Sequence, residues 1–200
     1  KIDASIQQHD PELYRIPGFK SVVDSIGGDV CTIDPTTHTA YRTAELAKSF
    51  PGIGLGSGER AYWENDPAWQ GWRQLIEKAL VAWDWAESFT AFSLVIRPAV
   101  EEGLLRTLGD AGRHNSDTLL GLLVDAQLLD AQRQRRWAST LTRMALEQPG
   151  NREVIQRWVQ QWEPLADAAI AAYCAALPDA AGAAERARQA TRDFRSGLGL

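Results

Sequence analysis

Asp84 and Glu87 are the residues whose type and spacing come closest to a catalytic pair. They lie three residues apart in a strongly apolar stretch with helical periodicity, so they share one helix face. Two carboxylates on one face can act as a general acid and a general base. Burying either without a partner would be costly. A buried ion-pair network with an arginine of the run 133–136 is the alternative, and we favour it because no histidine, metal motif or nucleophile lies nearby.

Acidic residues inside long helices also raise the question of a di-iron centre. Such a centre takes one glutamate from each of two helices and a Glu-x-x-His motif from each of two others. No glutamate here has a histidine three residues later; Glu87 is followed at that spacing by Thr90, and Glu101 and Glu102 are followed by leucines. His114 lies in GDAGRHNSD, a segment typical of a solvent-facing loop. We therefore predict no catalytic residue and no metal ligand in this chain.

The carboxylate pair lies within the stretch Asp66–Leu105, which is predicted to be one central helix. Asp66 is a suitable N-cap, and Pro67 needs no amide hydrogen at the first helical position. Two apolar stripes at helical spacing predict that this helix is covered from more than one side. They are Trp69, Trp72, Ile76, Leu80, Trp83 and Leu75, Ala79, Ala82, Phe89, Phe92, Ile96. Pro98 is expected to kink or end the helix, because it lacks an amide donor.

The region before the central stretch is less regular. Residues 1–40 are predicted to be an irregular segment rich in turns, and residues 41–200 a helical domain. A modest helix is predicted at Tyr41–Phe50. The glycine-rich residues 52–58 match neither common phosphate-binding glycine motif, so they are interpreted as a connector.

Three further helices are predicted after a break at Gly109–Asn115. Their starts and ends follow from capping residues, prolines and glycines. They are a helix capped by Ser116 or Asp117 and ending near Glu147, a helix capped by Asn151 and interrupted at Pro164, and a last helix from Pro178-Asp179 to about Arg195. No alternation of period two is convincing anywhere, so the predicted class is all-α.

Composition narrows the classes of function. The chain has 200 residues, a net charge of −5 and a pI near 5.3, which argues against a dedicated nucleic-acid binder. The run Arg133, Arg135, Arg136 is too short to change this and is interpreted as a solvated helix face or a salt-bridge cluster. Cys31 and Cys174 form no disulfide or zinc motif, as in cytoplasmic proteins. No apolar run approaches membrane-spanning length.

Three segments carry a resemblance to a known family: YRTAELA (Tyr41–Ala47), the stretch Trp63–Leu105 with its DPAWQ and DW-x-E elements, and DAQRQRRW (Asp130–Trp137). They resemble the beta subunit of the hydroxylase in bacterial multicomponent di-iron monooxygenases. The toluene, aromatic and alkene type is the nearest, and phenol hydroxylases are a little further away. The resemblance covers roughly Ala40–Leu177. Family beta subunits are considerably longer, and this chain begins at Lys1, so we expect a partial or rearranged chain.

The resemblance implies an all-α, ferritin-like (ribonucleotide-reductase-R2-like) helical bundle that lacks metal ligands. It implies hydroxylase alpha and gamma subunits (α2β2γ2), an effector protein, and a ferredoxin and reductase as partners. The cofactors would lie in those partners: a di-iron centre in the alpha subunit, and NADH, FAD and iron–sulfur groups in the electron-transfer proteins. The complex would hydroxylate or epoxidise aromatic or alkene hydrocarbons with O2 in the cytoplasm, with neither nucleic acid nor membrane as a partner.

Within such a complex this chain would be a non-catalytic structural subunit. Eight tryptophans exceed what packing needs, and tryptophan is enriched at protein interfaces as well as in cores. The candidates for interface or structural-network residues are Trp69, Trp72, Trp83, Asp84, Trp85, Glu87, Arg136 and Trp137. The alternatives are a stand-alone all-α interaction or regulatory protein, including one that binds nucleic acid through Arg133–Arg136, and a free-standing enzyme that uses Asp84 and Glu87.

Overall fold

The structure is a computed structural model, and it describes residues 44, 47–53, 59–177 and 180–200. The predicted irregular segment 1–40, the domain boundary after it and most of the glycine-rich connector lie outside the described residues. Of the predicted helix Tyr41–Phe50, Ala44 and residues 47–49 are helical, and a 3₁₀ turn follows at Pro51–Ile53.

Helices make up most of the described part of the chain, which contains no strand. The third helix, α3, is a continuous helical run over residues 85–114. The other helices are α1 (Glu59–Asn65), α2 (Pro67–Leu80), α4 (Thr118–Leu146), α5 (Asn151–Ala176) and α6 (Ala183–Ser196).

Two helix starts lie at the predicted capping residues. The side chain of Asp66 accepts a hydrogen bond from the amide of Ala68 at 2.8 Å, and Pro67 occupies the first turn of α2. The side chain of Asp117 caps α4 by accepting from the amide of Leu120 at 3.0 Å. Each carboxylate pairs with an amide that has no partner within the helix, which is why these two starts could be read locally.

The start of α5 differs from the prediction. Its N-cap is Gly150, which has φ of 85°, a left-handed backbone conformation that glycine adopts without steric cost. The side-chain amide of Asn151 instead donates to the carbonyl of Ala145 at 2.9 Å, and so ties the start of α5 to the end of α4.

The prediction of a single helix over Asp66–Leu105 is wrong. The chain leaves the helix after Leu80 and restarts it at Trp85. The reason is a second capping aspartate: Asp84 accepts hydrogen bonds from the amides of Ala86 and Glu87 at 2.8 and 2.9 Å. An aspartate that can pair with the free amides of a new helix start competes with continuation of the old helix.

Pro98 does not end α3. The predicted break at Gly109–Asn115 lies further along the chain, at residues 115–117, because the helix continues to His114. The α-helical segment Arg97–Ala99 lies between two π-helical segments, Ala91–Ile96 and Val100–Leu105. In a π turn each amide bonds to the carbonyl five residues earlier, which widens the helix. We attribute the continuity of α3 to this widening, which leaves room for a fully buried proline without an amide donor.

The predicted interruption at Pro164 is also wrong, because Pro164 lies inside the continuous helix α5. A proline removes one amide donor from a helix interior, yet packing can outweigh that loss. Trp162 and Ala166, which lie two residues before and two residues after this proline, are both in the core. Pro164 itself is exposed.

The core is built around α3 and α5. Its buried side chains come from α2, α3, α5 and α6, whereas α4 packs mainly along the C-terminal part of α3. The helices α2 and α5 approach each other closely at Gly71, where an added Cβ atom would lie 2.6 Å from the Cα of Ala169. Glycine is therefore needed at this crossing on steric grounds.

Candidate subunit interface

At the break between α2 and α3, several apolar side chains are exposed to solvent. Trp83 is 98 % exposed, and Leu80 and Val81 beside it are exposed as well. The predicted apolar stripe that ends in Leu80 and Trp83 is therefore wrong in its last two members, because the helix that would have aligned them ends at Leu80. A fully exposed tryptophan is costly in water unless a partner covers it.

An aromatic ridge formed by Trp85, Phe89 and Trp137 crosses from α3 to α4. The ring of Trp85 stacks on Phe89 with centroids 5.7 Å apart, and Trp137 meets Phe89 edge-on at 5.9 Å. Trp85 and Trp137 are 70 % and 62 % exposed. Trp85 follows the capping residue Asp84, and Trp137 lies on the outer side of α4. The fold thus brings together residues that are more than fifty positions apart in the sequence.

A groove of about 730 Å³ lies beside Trp83. Its walls come from the break between α2 and α3 and from the middle of α5, including Trp162, Pro164 and Leu165. Glu87 lies at its edge and accepts hydrogen bonds from Gln161 at 3.0 Å and from the indole of Trp162 at 3.1 Å. This carboxylate therefore ties the start of α3 to α5.

The favoured reading of Asp84 and Glu87 as members of a buried ion-pair network is wrong. Asp84 is exposed and is occupied as an N-cap. Glu87 is half-buried, and its hydrogen-bond donors are an amide and an indole rather than an arginine. Their mutual position gives no support to an acid–base pair either, because both carboxylates already accept structural hydrogen bonds.

The buried ion-pair network lies one helical segment further along α3. Arg135 of α4 donates from Nε to Glu101 and from Nη2 to Glu102 at 2.8 Å. Arg106 adds a hydrogen bond to Glu102 at 2.7 Å, and both glutamates are buried. The arginine run 133–136 therefore supplies the partner, through Arg135 rather than through Arg136. Glutamate and arginine four residues apart at 97–101 and 102–106 were visible in the sequence and could have indicated this site.

The two buried carboxyls differ in their pKa shifts. Burial raises the pKa of Glu101, and the positive charge of Arg135 offsets this only in part. Burial acts in the same direction on Glu102, but the hydrogen bond from Arg106 and the charge of Arg135 outweigh it, so the pKa of Glu102 is lowered. Glu102 is therefore the better stabilised anion of the pair.

The remaining candidates divide between core and surface. Trp72 is 1 % exposed and belongs to the core. Trp69 is half-buried and packs against Trp63 and Tyr173, with the Tyr173 ring 5.3 Å away. Arg136 is exposed on α4. Trp83, Trp85 and Trp137 are thus the tryptophans of the candidate list whose rings stand mainly in solvent.

His114 is the last residue of α3 and is exposed, rather than part of a loop. Within the residues that the structure describes, no group of three or more His, Cys, Asp or Glu side chains is arranged to hold a metal ion. In the same part of the chain, every helix is too short or too polar to cross a membrane.

Comparison with known proteins identifies the family. The sequence profile of the Methane/Phenol/Alkene Hydroxylase family matches residues 32–149, and the chain belongs to this family. The predicted resemblance is thus confirmed.

Individual relatives agree with this assignment. The chain is 49 % identical over 141 residues to the beta subunit of the toluene-4-monooxygenase hydroxylase component of Ectopseudomonas mendocina, covering 70 % of this chain and 43 % of that protein. It is 28 % identical over 159 residues to an oxygenase component of phenol 2-monooxygenase from Pseudomonas sp. strain CF600, covering 73 % and 48 %. The chain therefore spans less than half the length of these curated relatives.

A solved structure shares the fold. The structure of toluene 4-monooxygenase with toluene in its resting active site contains a chain that is 50 % identical to this one, with a TM-score of 0.67. The match covers 68 % of this chain and 46 % of that chain. The predicted all-α, ferritin-like class is confirmed by this match together with the family assignment.

Proposed function

We propose that this chain is a non-catalytic structural subunit of a multicomponent monooxygenase hydroxylase, equivalent to the beta subunit. In this proposal an alpha subunit holds the di-iron centre, gamma subunits complete the hydroxylase, and an effector protein, a ferredoxin and a reductase act on it. The reductase carries electrons from NADH through FAD and iron–sulfur groups. The complex hydroxylates or epoxidises aromatic or alkene hydrocarbons with O2 in the cytoplasm. The similarity to a toluene-4-monooxygenase beta subunit supports this assignment.

The observation that carries the proposal is the exposed aromatic surface of Trp83, Trp85 and Trp137. Burial of a large aromatic side chain removes much apolar surface from water and is therefore strongly favourable. Such side chains are common anchors at protein interfaces. In this chain they stand on a rigid support, because Asp84 caps the helix that carries Trp85 and Glu87 ties that helix to α5. Such a surface can hold a partner helix in a fixed position.

A fixed position is what a metal centre in the partner would require. Oxygen activation depends on ligands held in a defined geometry, and the residues behind the ligands maintain that geometry. The chemical role of this chain is therefore to restrict the movement of the alpha subunit's metal-bearing helices. Selection of the hydrocarbon belongs to the partner's pocket.

The test is co-expression of the chain with a hydroxylase alpha subunit of the toluene-monooxygenase type, followed by size-exclusion chromatography and iron analysis. We expect a stable complex that contains iron, and no iron in this chain purified alone. Stoichiometric iron in the isolated chain, or a monomer that does not associate with the alpha subunit, would contradict the proposal.

A further inference from the structure

Glu101 and Glu102 share the guanidinium of Arg135, yet their surroundings differ. Glu102 accepts hydrogen bonds from two cations, from Arg135 at 2.8 Å and from Arg106 at 2.7 Å. Glu101 accepts from Arg135 through Oε2. Its other oxygen, Oε1, accepts no hydrogen bond from any residue that the structure describes and lies 3.9 Å from Nε of Arg97. Both glutamates are buried, so Glu101 is the less compensated anion of the pair.

A small cavity between α3 and α4 reaches Glu101. Its volume is about 20 Å³, which is enough for one water molecule. The polar side chains that line it are Ser93, Arg97, Glu101, Gln134 and Arg135, and Trp137 forms a further part of the wall. The side chains of Arg97 and Trp137 are partly in solvent, so the cavity lies close to the surface. The buried carboxyl group of Glu101 can therefore exchange a proton with water.

The charged groups that act on Glu101 lie on α3 and α4. They are Arg135, Arg97 and Glu102. The helix α5 brings the thiol of Cys174 to the carbonyl of Gly103 at 3.7 Å, and burial raises the pKa of this thiol, so it stays neutral. The helix α6 brings the uncharged ring of Phe194 to Arg135. Burial therefore outweighs the charge of Arg135 at Glu101 and raises the pKa of its carboxyl group.

We propose that Glu101 is a proton-operated switch in the contact between α3 and α4. On acidification a proton from solvent binds to Oε1, the oxygen without a hydrogen bond, and the carboxylate becomes a neutral carboxyl group. Oε2 then accepts from Arg135 without a negative charge, so this bond weakens, while Glu102 stays ionised and keeps Arg135 in place. The inference goes beyond the proposed function and needs no partner subunit.

The switch lies directly beneath the aromatic ridge. Trp137 of the ridge forms part of the wall of the same cavity and packs edge-on against Phe89 of α3. A change of charge at Glu101 changes the electrostatic surroundings of this indole ring. The state of the switch should therefore be visible at Trp137.

The first experiment is urea unfolding of the full chain at several pH values. Because the folded chain holds the proton of Glu101 more tightly than the unfolded chain, this contribution to stability is present at acidic pH and is lost as the pH rises. Glu101→Gln keeps a neutral side chain of the same shape at every pH. It should raise the urea midpoint at pH 7 by about 0.2 M or more, and the difference from wild type should vanish near pH 4.

Glu102→Gln is the matched variant, because it removes the other carboxylate that Arg135 contacts. The pKa of Glu102 is lowered, since the hydrogen bond from Arg106 and the charge of Arg135 outweigh the effect of burial. Its stabilising contribution is therefore present at neutral pH and is lost as the pH falls. Glu102→Gln should lower the urea midpoint at pH 7, and this loss should shrink in acid.

The second experiment follows the two groups directly in the folded wild-type chain. In a sample with ¹³C-labelled glutamate, the carboxyl carbon of Glu101 should titrate above the ordinary range of a glutamate, about pH 4.3. The indole resonance of Trp137 should shift with the same midpoint. This indole shift should disappear in Glu101→Gln and remain in Glu102→Gln.

The inference is overturned if the two variants change the urea midpoint in the same direction at pH 7, or if Glu101→Gln does not fold. It is also overturned if Glu101 titrates at or below the ordinary pH, or if the Trp137 indole does not follow it. None of these measurements involves the alpha subunit. Failure of the chain to bind that subunit would therefore count against the proposed function and leave this inference standing.

Discussion

At the scale of single residues, Arg135 is the cation shared by two buried glutamates. Its guanidinium bonds to two adjacent buried carboxylates and lies over the ring of Phe194, with the central carbon 5.4 Å from the ring centroid. The arginine therefore connects α4, α3 and the C-terminal helix α6. Two carboxylates can be ionised side by side in this interior because a delocalised, bidentate cation separates them.

Replacing Arg135 with glutamine should lower the free energy of unfolding by about 3–5 kcal/mol at neutral pH, since it leaves buried carboxylates without their cation. The loss should depend on pH. In the wild-type chain the lowered pKa of Glu102 contributes stability at neutral pH, and this contribution is lost as the pH falls through that pKa. In the variant the pKa of both carboxyls rises in the folded state. The folded variant then binds protons more readily than the unfolded chain, so its stability decreases as the pH rises.

The measurement is urea unfolding followed by tryptophan fluorescence between about pH 4 and pH 7, the range in which raised carboxyl pKa values act. The difference between wild type and Arg135→Gln should be smallest at the acidic end. Arg133→Gln is the control, because its ion pair with Asp130 is exposed and such pairs contribute about 0–1 kcal/mol. A difference that is independent of pH would show that the carboxylates are not the reason for the loss.

At the scale of elements, the break at residues 81–84 determines which side chains are exposed on the surface. If α2 had continued, Trp83 and Trp85 would lie on different sides of one helix. Because Asp84 starts a new helix, Trp83 lines the groove and Trp85 belongs to the aromatic ridge instead. The hydroxyl of Ser88 also donates to the carbonyl of Ala82 at 3.1 Å and so closes the turn.

The variant Asp84→Ala should be destabilised by about 1 kcal/mol, the ordinary cost of losing an N-cap. Asp84→Asn should be close to wild type, because its side-chain oxygen still accepts from the helix amides. Hydrogen exchange at the amides of Ala86 and Glu87 should be faster in the alanine variant alone. Equal stability and equal exchange in the two variants would mean that the cap does not hold the break in place.

At the scale of the whole molecule, the tryptophans divide into those that stabilise the chain and those left for a partner. Trp72 of α2 is enclosed in the core, whereas Trp83 has almost its whole ring in water. Residues of the same type can therefore be assigned different roles by burial. The exposed group lies on the side of the described unit formed by the break, the start of α3 and α4.

Trp83→Ala should leave the stability of the isolated chain nearly unchanged and should weaken the complex with the alpha subunit by about 2 kcal/mol or more, as for an interface anchor. Trp72→Ala should instead lower the free energy of unfolding by about 3–5 kcal/mol, because it leaves a cavity in the core. Its effect on the folded chain's binding to the alpha subunit should be the smaller one. Thermal unfolding of the isolated variants and Kd values of the complexes separate the two. A Trp83→Ala variant that binds as wild type does would remove Trp83 from the interface.

The sequence by itself was sufficient for the all-α class, the family, and the helix starts at Asp66 and Asp117. These features depend on periodicity and on contacts within one turn, which a local pattern contains. The exposed and buried tryptophans could not be separated in that way, because both kinds fit the same helical spacing.

Tertiary structure decided the rest. Pro98 and Pro164 remain inside helices because packing from neighbouring helices outweighs the loss of one amide bond, and no local rule contains that packing. Arg135 rather than Arg136 reaches the glutamates because one turns inward and the other outward, which depends on how α4 lies against α3. Asp84 became a cap instead of a buried charge because the helix it was assigned to ends four residues earlier. These outcomes depend on long-range contacts, that is, on which surfaces pack against each other in the folded chain.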